Sequence, residues 1–319
     1  MAVIGIDLGG TKIAGGIVKS HGKITRQETV SIKGKEGNQV GESILELIGE
    51  LLEDKKAATE KIDAIGISVP GIYYSDSGKV WAPNISGWEE YPLLEQISSE
   101  IGDIRVRIDS DRACYILGET WQGAARGCRD AIFIAVGTGI GAGIMVNGSI
   151  LRGHRDIAGA TGWMALNKSY REGYKKYGCF EYHASGDGLA RSALDIMAEK
   201  IDYSGKFRNI DAKKISSYDI FREYENDDEI AVKVIEQAIA YWGMAAANFI
   251  SLFNPEKIIF GGGVFGPAAK FLNDIQGEAG KWSQPIAFRQ VEFETTKLGK
   301  NAGLIGAGKL GYNSLKSVN

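Results

Sequence analysis

The chain has 319 residues, 44% hydrophobic and 24% charged, enough to bury the core of one large or two moderate domains. A formal net charge of −3 argues against a nucleic-acid surface, which carries a basic excess, and a strand pattern beginning by Val3 leaves no helix-turn-helix at the start. Neither a signal peptide nor a membrane span is legible: the first residues lack a basic n-region and cleavage site, and the apolar run 131–146 is broken by glycines. Cys114, Cys128 and Cys179 are odd in number and widely spaced, which suits reduced thiols in a cytoplasm better than a disulfide framework.

Short apolar runs alternate with helical patterns, which predicts an α/β fold class. Residues 3–7, 13–18 and 24–31 read as three strands, with a turn at His21–Gly22. GESILELIGELLE (41–53) puts Ile44, Leu45, Leu47, Ile48, Leu51 and Leu52 on one helical stripe. AIGISVPG (64–71) reads as a buried strand ending in a proline turn. A further strand ends at about Asp109, and a helix starts at about Asp111. The pattern then restarts with strands over 131–139 and 141–148. The polar stretch 167–178 reads as a mobile surface loop. A helix near 229–250 follows Asp227–Asp228, both suited to N-capping, and carries Ile235, Ile239, Trp242, Ala246 and Phe249 on one stripe. KIIFGGGVF (257–265) is a buried strand running into a glycine turn, and 301–310 is a small-residue helix suited to close packing. The loose echo of 4–18 in 132–146 predicts two related halves facing a cleft.

Glycine clusters beside apolar runs mark places where backbone turns tightly or approaches a ligand. DLGGTK (7–12) joins two strands through Gly9 and Gly10, so successive N–H groups, Thr11 and Lys12 suit phosphate. Asp7, at the strand end, is a candidate to hold Mg²⁺ through water. Gly137, Thr138 and Gly139 repeat the device, and Gly261, Gly262 and Gly263 form a third turn. Each alone reads equally as a plain turn; together they favour a nucleotide cleft. They form neither a P-loop nor a dinucleotide fingerprint. In IDSDRACYILGE (108–119), Asp111 is a candidate general base, although Asp111 or Ser110 also suits a simple N-cap, and Asp109 a structural role.

IGIDLGGTKIAGGIV, GISVPGIYYSDSGKVWAPNISGW, SDRACYILGE, AVGTGIGAGI, NPEKIIFGGGV and LGKNAGLIGAG resemble, in order, the motifs of the ROK family of repressors and sugar kinases. The resemblance implies an actin-like ATPase fold of two α/β domains: residues 1–120, joined by the C-terminal helix 301–319, and residues 121–300. It also implies a homodimer, ATP with Mg²⁺ as phosphoryl donor, and a sugar or polyol acceptor phosphorylated at a hydroxyl, usually C6. The first two turns would hold phosphates, and Gly261–Gly263 would lie near the adenosine. Asp111 stands at the family's general-base position; Asn84 and Glu181 match sugar ligands. Ser110 replaces the usual asparagine, so one amide contact to the sugar becomes a hydroxyl contact. The DNA-binding extension of the family's repressors has no counterpart, so we expect no nucleic-acid partner.

AGATGWMAL (158–166) departs from the family pattern. Ala160 stands where a glutamate would reach the sugar near C1 and C2, and Trp163 where a histidine would reach the sugar and begin a zinc site. Of the zinc cysteines only Cys179 remains, with Glu172 and Tyr174 at two cysteine positions. Tetrahedral zinc needs four ligands, so no zinc is expected. Trp163 then either joins Tyr170, Tyr174 and Tyr177 in an aromatic cluster or lines the acceptor pocket. His154 reads as a loop residue and His183 as a supporting or surface residue. The expected activity is an ATP-dependent sugar kinase whose acceptor differs from glucose around C1 or C2; the alternative is a catalytically weak sugar or nucleotide sensor of the same fold.

Overall fold

A computed structural model describes residues 2–53 and 61–316 of the chain. Its first half contains β1 (Ala2–Leu8), β2 (Lys12–Lys19), β3 (Ile24–Ser31), α1 (Asn38–Leu52), β4 (Ile62–Val69), β5 (Ile72–Tyr74), β6 (Lys79–Trp81), α2 (Leu93–Glu100), β7 (Arg105–Ser110) and α3 (Asp111–Gln122). Five strands form one sheet in the order β3-β2-β1-β4-β7. β1, β2 and β3 run antiparallel, whereas β4 and β7 lie parallel to β1. The register places Asp7 beside Ser68 and Ser68 beside Asp109, one row across three strands. α1 buries Ile44, Leu47, Ile48 and Leu51 completely, with Leu45 and Leu52 at the edge of the stripe. Each such burial stabilises by about 1.5–3 kcal/mol before chain entropy is counted.

The second half contains β8 (Ala131–Val136), β9 (Ile140–Val146), β10 (Ser149–Ile150), α4 (Tyr174–Tyr177), α5 (Cys179–Ala184), α6 (Gly186–Glu199), α7 (Ser217–Tyr224), α8 (Glu229–Phe253), β11 (Lys257–Gly261), α9 (Leu272–Trp282), α10 (Pro285–Phe288), β12 (Glu292–Thr295) and α11 (Ala302–Lys316). Its sheet runs β10-β9-β8-β11-β12, again an antiparallel hairpin with parallel strands beyond it. The echo between the two glycine-turn hairpins is therefore architectural. Of the two candidate caps for α8, Asp228 takes the role, accepting from the N–H groups of Ile230 (3.0 Å) and Ala231 (3.1 Å). The helix ends at Asn254 in the left-handed region, before Pro255.

α11 returns to pack on β1, β4, β7 and α3 of the first half. Glycine makes the approach possible. A Cβ on Gly66 would lie 1.8 Å from Ala307 O, and one on Gly306 would lie 1.8 Å from Cys114 O. The sequence expectation for this helix extends to residue 319, and its last three positions lie outside the described residues. The stretch 167–178 is exposed and irregular over residues 168–172, as expected of a surface loop. It ends in the turn of helix α4, anchored because Tyr174 is buried in the larger core.

Candidate active site

In the first turn, Gly9 N–H donates to Lys12 O at 2.9 Å, leaving Gly10, Thr11 and Lys12 exposed. Asn84, also exposed, stands across from it, where a Cβ on Gly10 would meet the Asn84 Cβ at 3.9 Å. Behind the turn, the Asp7 carboxylate accepts from Ser68 Oγ at 2.8 Å. Gly303 of α11 comes so close that a Cβ there would contact that carboxylate. Burial pushes the Asp7 pKa up to about 6; the Ser68 hydroxyl and Lys12 oppose the shift, and the charge of Asp111 adds to it.

The end of β7 delivers the acidic cluster. Asp109 Oδ1 accepts from Ser110 N–H at 2.8 Å, and Oδ2 accepts from Arg152 Nη2 at 2.6 Å and Nε at 3.1 Å. Asp109 thus has the structural role open to it in the sequence. Ser110 caps α3, its Oγ accepting from Ala113 N–H at 3.3 Å, while its own hydroxyl proton remains available to a ligand. Asp111 is the first residue of α3 and accepts from Arg112 N–H at 2.7 Å. Burial raises the Asp111 pKa, against the pull of Arg112. Arg112 donates to Gly71 O at 3.1 Å, and a Cβ on Gly143 would run into the Arg112 carbonyl. The start of α3 is therefore wedged between the first sheet's loops and β9. Asp156 accepts from Ser75 N–H (2.9 Å) and Oγ (2.8 Å), joining the β5–β6 hairpin to the loop after β10. Neither Arg152 nor Asp156 stands out in the sequence; no spacing rule links them to partners so far away.

The second and third turns meet. Gly137 N–H donates to Gly139 O at 2.9 Å, and Gly137 O accepts from Gly186 N–H at 2.7 Å, which brings the start of α6 to the turn. Gly262, at φ 92°, passes so close to Val136 O that a Cβ there would lie 2.4 Å away. Thr138, Gly262 and Gly263 are exposed, and Gly261 is buried against Phe133.

Glu181, on α5, belongs to the same neighbourhood. Its Oε2 accepts from Ile140 N–H at 2.8 Å, and Gly139 and Gly162 both abut the side chain, which a Cβ at either position would overlap. Burial raises its pKa, opposed by the Ile140 N–H and Arg191. An aromatic cluster does form nearby, with membership different from that expected. Tyr170, Tyr174 and Tyr177 are joined by Tyr182, His183 and Tyr241, whereas Trp163 stays outside, 57% exposed. His183 is not a surface residue. It is buried, shares a 2.7 Å hydrogen bond with Tyr174 Oη and stacks on Tyr241 with ring centroids 4.6 Å apart. Burial lowers its pKa to about 4. The i,i+4 spacing of Cys179 and His183 on α5 places both in this core; Tyr241 comes from α8 and gives no local signal. Cys179 is buried, and His154 lies in the exposed loop as expected.

Two hairpin-led sheets, with glycine turns and a partly buried carboxylate at a helix start between them, make up the α/β actin-like ATPase fold of the ROK hexokinases. The ROK family model matches residues 3–313, and the chain belongs to the ROK family. A glucokinase of Halalkalibacterium halodurans is 29% identical over 313 residues, covering 96% of this chain and 94% of that protein. A β-glucoside kinase of Listeria monocytogenes is 28% identical over 312 residues, covering 96% of each. The crystal structure of a ROK family glucokinase from Streptomyces griseus in complex with glucose and AMPPNP matches with a TM-score of 0.78 at 27% identity, covering 98% of this chain and 100% of that one.

Proposed function

We propose that this ATP-dependent sugar kinase transfers the γ-phosphoryl group to a primary hydroxyl, that of C6, on a hexose-like acceptor altered around C1 or C2 relative to glucose. The observation that carries the reading is the setting of Asp111: a partly buried carboxylate with a raised pKa, at the start of a helix wedged between the two sheets. Such a group takes the proton of the attacking hydroxyl. In this reading the turns Gly9 to Lys12 and Gly137 to Gly139 hold phosphates, with the N–H groups of Gly9 and Gly137 closing the turns rather than binding, and Gly261 to Gly263 face the adenosine. Asn84, Ser110, Trp163 and Glu181 surround the acceptor. The desolvated Asp7 carboxylate fits a cation held through water, and Mg²⁺ there supplies charge neutralisation for the phosphates. The same reading takes the described residues up to 120, together with α11, as one domain and residues 121–300 as the other, with closure of the two excluding water from the site.

The acceptor is bracketed by the names of the relatives, glucokinases and a β-glucoside kinase. Ala160 and the exposed Trp163 favour the modified sugar, because they lack the groups that read free hydroxyls near C1. The same reading includes a cytoplasmic homodimer; among the described residues, no helix is long and apolar enough to cross a membrane.

The test is ADP release with Mg–ATP across glucose, mannose, fructose, N-acetylated hexosamines, β-glucosides and polyols, with Asp111→Asn as the blank. The expected result is turnover of a modified sugar that falls about 10²–10⁴-fold in the variant. Strong preference for glucose overturns the acceptor assignment. ATP binding without turnover of any acceptor moves the protein to the sensor reading.

A further inference from the structure

Residues 152–163 form one continuous segment fastened to both halves of the molecule. Ala158 N–H donates to Arg152 O at 2.9 Å, which closes 152–158 into a compact loop. That loop is pinned twice to the first half. Arg152 donates from Nη2 (2.6 Å) and Nε (3.1 Å) to Asp109 Oδ2, at the end of β7. Asp156 accepts from the N–H (2.9 Å) and Oγ (2.8 Å) of Ser75, in the turn between β5 and β6. The remainder of the segment is fastened to the second half: Gly159 O accepts from Ala142 N–H of β9 at 2.8 Å, and Gly162 abuts the Glu181 side chain.

Two features mark the first-half pins as more than surface contacts. Arg155 (φ 52°, ψ 35°) and Asp156 (φ 63°) are consecutive residues with side chains in the left-handed region. Such a backbone persists where surrounding contacts over-determine it, and the bonds to Ser75 are contacts of that kind. At the other pin, the Asp109 side chain is only 8% exposed, so its charge depends on the guanidinium that meets it. Its second oxygen accepts from the N–H of Ser110, the cap of α3, and Asp111 follows directly. Arg152 thus reaches, through one carboxylate, the point where the chain turns from β7 into the helix that carries Asp111. Asp109, Ser110, Arg152, Asp156 and Ala158 line one small cavity at this junction.

We propose that Arg152 and Asp156 are positioning residues for phosphoryl transfer: by pinning loop 152–158 to the end of β7 and to the β5–β6 turn, they hold the acceptor loop 158–163 in register with Asp111. This role rests on the reading of Asp111 as the base and of 158–163 as part of the acceptor site.

The experiment uses the full chain, Mg–ATP, and whichever of glucose, methyl β-glucoside and N-acetylmannosamine turns over fastest. A misplacement of about 1 Å costs up to about 10²-fold, so Asp156→Ala and Arg152→Met are each expected to lower kcat about 10- to 100-fold. KM for ATP stays the same. Asp156→Asn keeps an oxygen for Ser75 and is expected to stay near wild type, and Arg152→Lys retains more kcat than Arg152→Met. Asp156 is half-buried, so its variants keep the test open if Arg152→Met fails to fold. The double variant Ser75→Ala, Asp156→Ala should match Asp156→Ala alone; additive losses would show that Asp156 does not act through Ser75. A lower Tm with wild-type kcat, measured well below the melting range, makes the pins purely structural and overturns the proposal. A rise in KM for ATP that accounts for the whole loss overturns it too. The parent reading fails separately: wild-type activity in Asp111→Asn removes the base, whereas Asp111-dependent turnover untouched by Asp156→Ala and Arg152→Met removes the positioning role alone.

Discussion

Glu181 Oε2 accepts a hydrogen bond from the Ile140 backbone N–H at 2.8 Å, tying α5 to the second glycine turn. Glu181→Gln keeps the shape and an oxygen for that N–H but removes the charge. Hydrogen bonds to charged groups contribute about 1.5–3 kcal/mol, so acceptor KM is expected to rise roughly 10- to 100-fold. KM for ATP should hardly move. Steady-state kinetics with each substrate varied in turn is the check, and an effect confined to ATP would remove Glu181 from the acceptor pocket.

Asp7 gives a prediction with a definite sign. Its pKa rises from the ordinary 3.8 to about 6 on folding. Its contribution to stability is therefore most favourable below about pH 4 and is lost as pH rises through 6. Asp7→Asn retains an acceptor for Ser68 Oγ and escapes the penalty. It is expected to stabilise the fold at pH 8 by up to about 3 kcal/mol, a gain absent at pH 4, while activity collapses. Thermal melts at the two pH values test this; equal effects at both would show that Asp7 is not the titrating group.

His183 works in the opposite direction. Its pKa falls from 6.5 to about 4, so the unfolded chain binds a proton between those values that the native protein excludes. Stability that is complete above about pH 6.5 is lost as pH falls toward 4. His183→Gln is expected to cost stability at pH 7.5 through lost stacking on Tyr241, and to flatten the decline between pH 6.5 and 4.5. An unaltered pH profile in the variant would place the titration elsewhere.

Trp163 is more than half exposed, so Trp163→Ala should change unfolding free energy by no more than about 0.5 kcal/mol. If the indole is a platform for the sugar ring, acceptor KM rises several-fold in the same variant. A drop in Tm with normal kinetics would return Trp163 to the packing role.

Much of this arrangement is legible in the sequence because it is local. Asp111 follows a strand and opens a helix, and each glycine turn ends an apolar run. Long-range partnerships are not legible. Arg152 reaches Asp109 across 43 residues, and Ser75 meets Asp156 across 81. Both depend on how two sheets are brought together, which no periodicity encodes. The aromatic cluster shows the boundary clearly. Tyr170, Tyr174 and Tyr177 fall into it as the sequence suggests, but Trp163 does not, and Tyr241 from α8 joins through His183. The row Asp7–Ser68–Asp109 is similarly invisible until β1, β4 and β7 are set in register.

The glycine seats of α11 also bear on how the molecule is made. β1 and β4 leave the ribosome well before the helix that covers them, with Gly306 against Cys114 O and Ala307 over Gly66, because α11 follows every strand of the second sheet. At about 5–20 residues per second, the interval is on the order of ten seconds or more. During that time the first sheet is exposed on the face that α11 later covers, while the strands of the second sheet have all been synthesised. The first sheet thus completes its packing only after every strand of the second has been made.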